Sequence, residues 1–176
     1  MFNIIVQLIG YLGVLCFIIS YLNKSRKGII LFTFIARIMF VTHYILLGAF
    51  SGAMQNLVGG VASVISGKRG QKPFDSKFMP YLIVILTLGV GILTYDKEKG
   101  LICLFPVAAM IVQNIALWLK NSTLIRILTL AGIPLWFVYN FASGSAPAMI
   151  SDTLSATSLV ISIVRYDIVP MIKSRK

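Results

Sequence analysis

Acidic charge is scarce in this chain: Asp and Glu number five in 176 residues, and charged residues of either sign make up only 12%. Soluble domains carry about 25% charged residues, so a water-facing surface cannot be covered from this supply. Apolar residues reach 58%, above the roughly 45–50% of soluble domains, and the class that fits is one whose surface faces lipid. Histidine occurs once and cysteine twice. There is no HExxH or GxSxG motif and no face with paired carboxylates, so the usual hydrolytic and metal-dependent machinery is missing. The chain is expected not to be an enzyme and to need no cofactor. Cys16 and Cys103 lie inside apolar runs without partner-like spacing. They read as small packing residues rather than a disulfide or metal framework. No Lys or Arg precedes the first apolar run, which begins at residue 3. It lacks the charged start of a signal peptide and is expected to be retained as a membrane span.

Basic residues are the exception, sixteen against those five acids for a formal charge of +11. In a soluble protein that excess would suggest nucleic acid. Here Lys and Arg sit in short clusters between apolar runs, as topology signals do, so no nucleic-acid partner is expected. A span needs about 20 largely apolar residues. The candidates are 3–22, 28–47, 51–67, 78–95, 101–119, 123–142 and 146–165. With the N-terminus outside, the inner loops and tail collect Lys24, Arg26, Lys27, Lys68, Arg69, Lys72, Lys77, Lys120, Arg126, Arg165, Lys173, Arg175 and Lys176. The outer loops hold only Lys97 and Lys99, offset by Asp96 and Glu98, and Arg37 lies inside a span. An odd number of spans with the N-terminus outside and the C-terminus cytoplasmic gives this separation. The expected fold is therefore an all-α integral membrane protein of seven transmembrane helices, in one domain over 1–176.

Residues 5–69 align without gaps on the chain 96 positions later: Lys24 on Lys120, Gly48 on Gly144, Val64-Ile65-Ser66 and Arg69 on Val160-Ile161-Ser162 and Arg165. Spans 1–3 and 5–7 would then run in the same direction, which requires an inverting linker between them. The expected plan is a first three-helix repeat over 3–67, a linker helix over 78–95 and a second repeat over 101–165. Such 3+1+3 parallel repeats are a known plan of secondary transporters. The loop GKRGQKPFDSK (67–77) and the outer segment from Asp96 to Gly100 mark the breaks between these parts.

Ionisable residues at membrane depth cost about 2.5–3.5 kcal/mol on insertion scales. Arg37 in span 2 and Asp152 in span 7 are such residues, and they are expected to offset one another, directly or through a water. Phe40, His43 and Tyr44 share a helix face, and the 96-residue offset carries them onto Trp136, Tyr139 and Asn140. It also carries Asn56 onto Asp152. Two such sets facing each other would make an amphipathic pocket, aromatic walls with a few placed polar groups. Arg37, Phe40, His43, Tyr44, Asn56, Asn114, Trp136, Tyr139, Asn140 and Asp152 are the candidate substrate-binding residues. The same residues also admit a bland reading, with Arg37 and Asp152 as a structural pair, His43 as a satisfied buried imidazole, and Gln113 and Asn114 as interhelical hydrogen-bond glue. Gly52, Gly59, Gly60, Ser63 and Gly67, and Ser151, Ser155, Ala156, Ser158 and Ser162, are expected to allow close helix packing. Pro106 and Pro134 are expected to interrupt spans 5 and 6.

The stretches FVTHYILLGAFSGAMQNLVGG (40–60) and PLWFVYNFASGSAPAMISDTLSATSLVISIVRYD (134–167) resemble the YgjV family of bacterial inner-membrane proteins. That family is related to the PQ-loop superfamily, with its SWEET sugar facilitators and PnuC vitamin transporters. The resemblance implies a bacterial inner membrane, a SWEET-like fold, and a pocket with an amide on spans 3 and 7 and aromatics from spans 2 and 6. Asn56, Asp152, Phe40 and Trp136 occupy those positions. A carboxylate replaces the amide at Asp152, the Pro-Gln dipeptide is absent, and of the prolines usual in spans 1, 2, 5 and 6 only those of spans 5 and 6 remain. The expected function is small-molecule transport or facilitation by rocking of one repeat against the other, with the bilayer, a small polar metabolite and a second copy of the chain as candidate partners. The alternative is a non-transporting sensor, scaffold or subunit whose polar residues form a structural network.

Overall fold

The computed structural model describes residues 2–22, 26–68, 70–74 and 76–173. Lys24, Arg69, Arg175 and Lys176, which contribute to the expected topology, lie outside the described residues, as do the side chains of Arg26, Lys27 and Lys173. The described residues are all-helical, with no strand among them. Seven main helices follow one another: α1 (Phe2–Leu22), α2 (Arg26–Leu46), α3 (Phe50–Gly67), α4 (Met79–Leu93), α5 (Phe105–Trp118), α6 (Ser122–Ala142) and α7 (Ala146–Ile163). A wider turn, Val164–Ile168, carries α7 into a short α8 (Val169–Lys173).

Local chemistry places the ends of these helices. Gly48 and Gly144 both adopt φ +68. Behind them, Ala49 N donates to Tyr44 O at 2.8 Å and Ser145 N to Asn140 O at 2.9 Å. Each is a glycine-terminated helix end in which left-handed backbone frees the chain to reverse. α6 begins at Asn121, whose side chain accepts from Thr123 N and Leu124 N, satisfying N–H groups that a helix start leaves over. Pro106 does not interrupt a helix. A 3-10 turn (Gly100–Leu104) precedes it and α5 starts beside it, because a ring without an N–H is tolerated in a first turn. Pro134 lies inside α6.

Packing joins the helices into a ring. α1 lies against α2, α2 against α3, α3 against α5, α5 against α6, α6 against α7, and α7 returns to α1. α4 stands outside this ring, packed on α3 and α5. There Gln55 Nε2 donates to Thr87 O and Asn114 Nδ2 to Thr87 Oγ1, each at 3.0 Å, so one residue of α4 is held by amides from both neighbours. The opposite end of α6 from Gly144 is tied to the chain after α7, where Arg126 Nη1 reaches both carboxylate oxygens of Asp167 at 2.9 Å and Thr123 Oγ1 donates to Oδ1 at 2.7 Å.

Among the described residues, four stretches are long and apolar enough to cross a membrane: Asn3–Ser20, Gly100–Trp118, Ser122–Ala142 and Ala146–Ile172. Leu31–Leu46 and Met79–Leu93 are shorter apolar helices. α3 falls outside both groups because its small and polar residues lower its hydropathy. Ser51, Gly52, Gln55 and Gly59 are among its buried residues, packed towards α2, α4 and α5, while Phe50, Leu57, Val61 and Val64 are exposed on its other side. The small residues divide in the same way. A Cβ at Gly52 would lie 2.5 Å from the Tyr139 ring, and one at Gly59 would lie 2.7 Å from Met110 Cε, so these glycines are where helices meet. Ser158 is exposed and does not serve close packing.

Candidate functional site

A cavity of about 290 Å³ occupies the middle of the ring, close to the lower end of the range of about 300–1,000 Å³ found for small-molecule sites. α2 contributes Arg37, Phe40 and Tyr44 to its wall, and α3 contributes Asn56, Gly59 and Ser63. From α5 come Met110, Gln113, Asn114 and Leu117; from α6, Thr129, Ile133, Trp136 and Asn140. α7 adds Ala148, Ser151, Asp152 and Ser155, and α1 adds Phe17. Eight of the ten residues expected from sequence thus face one space, and every helix of the ring takes part.

His43 and Tyr139 do not line it. Both are buried beside it, where each bonds to the start of a helix in the other half of the chain. His43 Nδ1 lies 2.8 Å from Val6 O and Nε2 lies 2.7 Å from Ser145 Oγ. Because a carbonyl can only accept, Nδ1 carries the proton, and in the neutral ring Nε2 accepts from the Ser145 hydroxyl. Ser145 is the residue that begins α7. Tyr139 accepts at its hydroxyl from Gly52 N at 2.8 Å, in the first turn of α3. A helix start leaves such N–H groups without internal partners, and this one is satisfied across the molecule. For His43 the satisfied-imidazole reading therefore describes the geometry. Helical spacing explains the division: at about 100° per residue, positions 37 and 44 fall to one side of 40 and position 43 to the other.

Tyr44 and Asn140, 96 residues apart, bond directly, the phenol donating to Oδ1 at 2.6 Å. Asn140 Nδ2 then donates to Asp152 Oδ2 at 2.7 Å, so the carboxylate is oriented through a buried relay of two side chains. Around the relay the rings of Tyr44 and Trp136 lie 6.4 Å apart at 27°, and Phe40 lies 6.1 Å from Tyr44. The cavity extends away from this layer towards Phe17, Ser63 and Thr129. From Asn140 to Thr129 that is about 16 Å along α6.

Arg37 runs along α3. Its Nη1 approaches Asn56 O and its Nη2 approaches Ser63 Oγ, both at 3.4 Å. A Cβ at Gly59 would come within 2.9 Å of Nη1 and one at Gly60 within 3.3 Å of Cδ, so the adjacent glycines make the channel in which this side chain lies. Arg37 thus bonds to α3 and Asp152 to α6, and both groups face the cavity. Sequence reasoning passed over Phe17, Gln113 and Thr129 as site residues. Phe17 and Gln113 are themselves 96 positions apart, a signal that the aligned offset contained. Asn114 is placed by its bond to Thr87 Oγ1, and its Oδ1 is buried without a hydrogen-bond partner. Among the described residues no cluster of His, Cys, Asp and Glu could hold a metal ion.

A lipid-compatible helical ring around a polar and aromatic cavity defines an all-α membrane protein. The family described as bacterial inner membrane protein, Imp-YgjV, matches residues 4–168, and the chain belongs to it. No curated protein and no solved structure matches the chain.

Proposed function

We propose that this protein is a seven-span small-molecule transporter or facilitator of the bacterial inner membrane, built from two parallel three-helix repeats joined by α4. The observation that carries the reading is the cavity, enclosed by side chains from both halves and shut at one end by buried bonds between them. The repeat is supported by the contacts of aligned residues. Two equivalent side chains can touch each other only near a two-fold axis, and Tyr44 and Asn140 do so. The joints of the ring, α3 with α5 and α7 with α1, are also exchanged by such an axis, and the Gly48 and Gly144 turns share one geometry.

With the N-terminus outside, the layer of His43, Tyr44, Tyr139 and Asn140 closes the outer side, and the cavity faces the cytoplasm. Rocking one repeat against the other breaks the cross-half bonds and opens the outer side. The SWEET-like relationship fits this plan. The non-transporting reading draws on one observation, the number of satisfied buried bonds in the same layer. Thiol accessibility separates the two. In a background with Cys16 and Cys103 replaced by Ala, a Cys at Ser155 is expected to react with a membrane-impermeant maleimide applied from the cytoplasmic side. Failure of that Cys to react in folded protein would identify a dry, closed network and remove the transport reading.

A further inference from the structure

We propose that the cavity takes a small zwitterion, a compound of the α-amino-acid type, with its carboxylate at Arg37 and its ammonium at Asp152 and Asn114. The inference rests on the cavity being a ligand site, and it adds the class of ligand.

The wall carries one guanidinium and one carboxylate, and they come from different halves of the chain. The aligned positions are not charged in both halves: Ile133 stands where the first repeat has Arg37, and Asn56 where the second has Asp152. Neither charge follows from the repeat, and each stands in a side-chain setting that fixes it. Gly59 and Gly60 make room for Arg37 along α3, and the Tyr44–Asn140 relay orients Asp152 through Oδ2. Among the described residues no hydrogen bond goes to Asp152 Oδ1. Asn114 Oδ1 is a second acceptor without a partner, on a side chain only 2% exposed. Two acceptors, one of them anionic, suit an ammonium with its three N–H donors. A planar guanidinium suits a carboxylate. A net anion would meet Asp152 unfavourably and a net cation would meet Arg37 unfavourably, so a neutral molecule with both charges satisfies the wall. Phe40 and Trp136 leave apolar surface for the remainder of the ligand.

The test measures the melting temperature of purified full-length protein with L-alanine, L-leucine and L-phenylalanine, each beside its N-acetyl derivative and its amide, with glucose as the uncharged comparison. At least one amino acid should stabilise the protein, and loss of either charge should weaken binding about tenfold or more, equivalent to about 1.4 kcal/mol. Asp152→Asn should narrow the preference over the N-acetyl anion, and Arg37→Gln should narrow the preference over the amide cation. A structural role alone would not give that crossed pattern. If either variant fails to fold, the ligand series on the unaltered protein still decides. No stabilisation by any of the three amino acids, or equal stabilisation by the derivatives, overturns the proposal. Flux in liposomes is read separately. Amino-acid binding without flux removes transport and leaves the ligand class, whereas glucose flux without amino-acid binding leaves transport and removes the class.

Discussion

Asn140 accepts from Tyr44 through one side-chain atom and donates to Asp152 through another, at 2.6 and 2.7 Å, while only 1% of it is exposed. Replacing it with Leu preserves volume but strips both neighbours. A buried polar group left without its partner costs about 1–3 kcal/mol, whereas a hydrogen bond lost cleanly costs about 0.5–1.5 kcal/mol. Asn140→Leu, which strips two partners, should therefore lower the melting temperature more than Tyr44→Phe, which leaves one buried acceptor, Asn140 Oδ1, without its donor. The double variant should be less destabilised than the sum of the two, because the Tyr44 hydroxyl orphaned by the first change is removed by the second. Thermal melts of the three variants in one detergent check both statements. Phe40 and Trp136 were legible as cavity aromatics because aligned apolar positions on one helix face imply a shared environment. His43 was not legible as a clamp, since its two partners, Val6 and Ser145, are 37 and 102 residues away.

Among the elements, α3 shows how the surroundings of a helix set its composition. Its glycines admit the Tyr139 ring and the Arg37 side chain, and its buried polar residues bond to neighbouring helices rather than facing lipid. Gly52→Ala places a methyl group 2.5 Å from the Tyr139 ring. Overpacking of this kind costs about 1–3 kcal/mol, and here the same shift breaks the bond from Gly52 N to Tyr139. Gly89→Ala, in α4 with open space beside it, should leave the melting temperature unchanged or slightly raised, since Ala is favoured over Gly within a helix by up to about 1 kcal/mol. A comparable loss in both variants would show that the close approach at Gly52 does not matter. The attachment of α4 rests on Thr87. Thr87→Val keeps shape but leaves Asn114 Nδ2 without its acceptor, so it should destabilise by about 1–3 kcal/mol. Thr153→Val is the matched control on an exposed face, where the hydroxyl bonds only to Met149 O. Equal melting temperatures for the two variants would show that α4 is not held in this way.

For the whole molecule, the ring joins and the bonded ends place the α1 start, the α2–α3 turn, the α4–α5 connection and the α6–α7 turn together. Gln7 Nε2 donates to Gly144 O at 2.8 Å and Lys99 Nζ donates to Gly48 O, linking these points directly. In the proposed topology that end, which carries few basic residues, is the outer one. A periplasm-dependent reporter fused after Lys176 should be inactive, and one inserted between Lys97 and Glu98 should be active. The opposite pair of results would invert the chain and, with it, the side to which the cavity opens.

Composition and periodicity alone determined that this chain is helical and belongs in lipid, because hydrophobic length acts locally along the sequence. Gly48 and Gly144 stood out in the sequence only as aligned positions, and the structure makes both the left-handed residues that end α2 and α6. Which polar residues share the cavity was decided only by the tertiary structure. The sequence grouped His43 with Phe40 and Tyr44, yet closing the ring turned His43 towards Val6 and Ser145 and left Arg37 and Tyr44 facing inward. It also sent Arg37 along Gly59 and Gly60 and gave Asp152 to Asn140. In a low-dielectric bundle a buried polar atom that is bonded takes whichever partner helix packing brings within about 3 Å, and that choice is made between helices, beyond the reach of any local pattern.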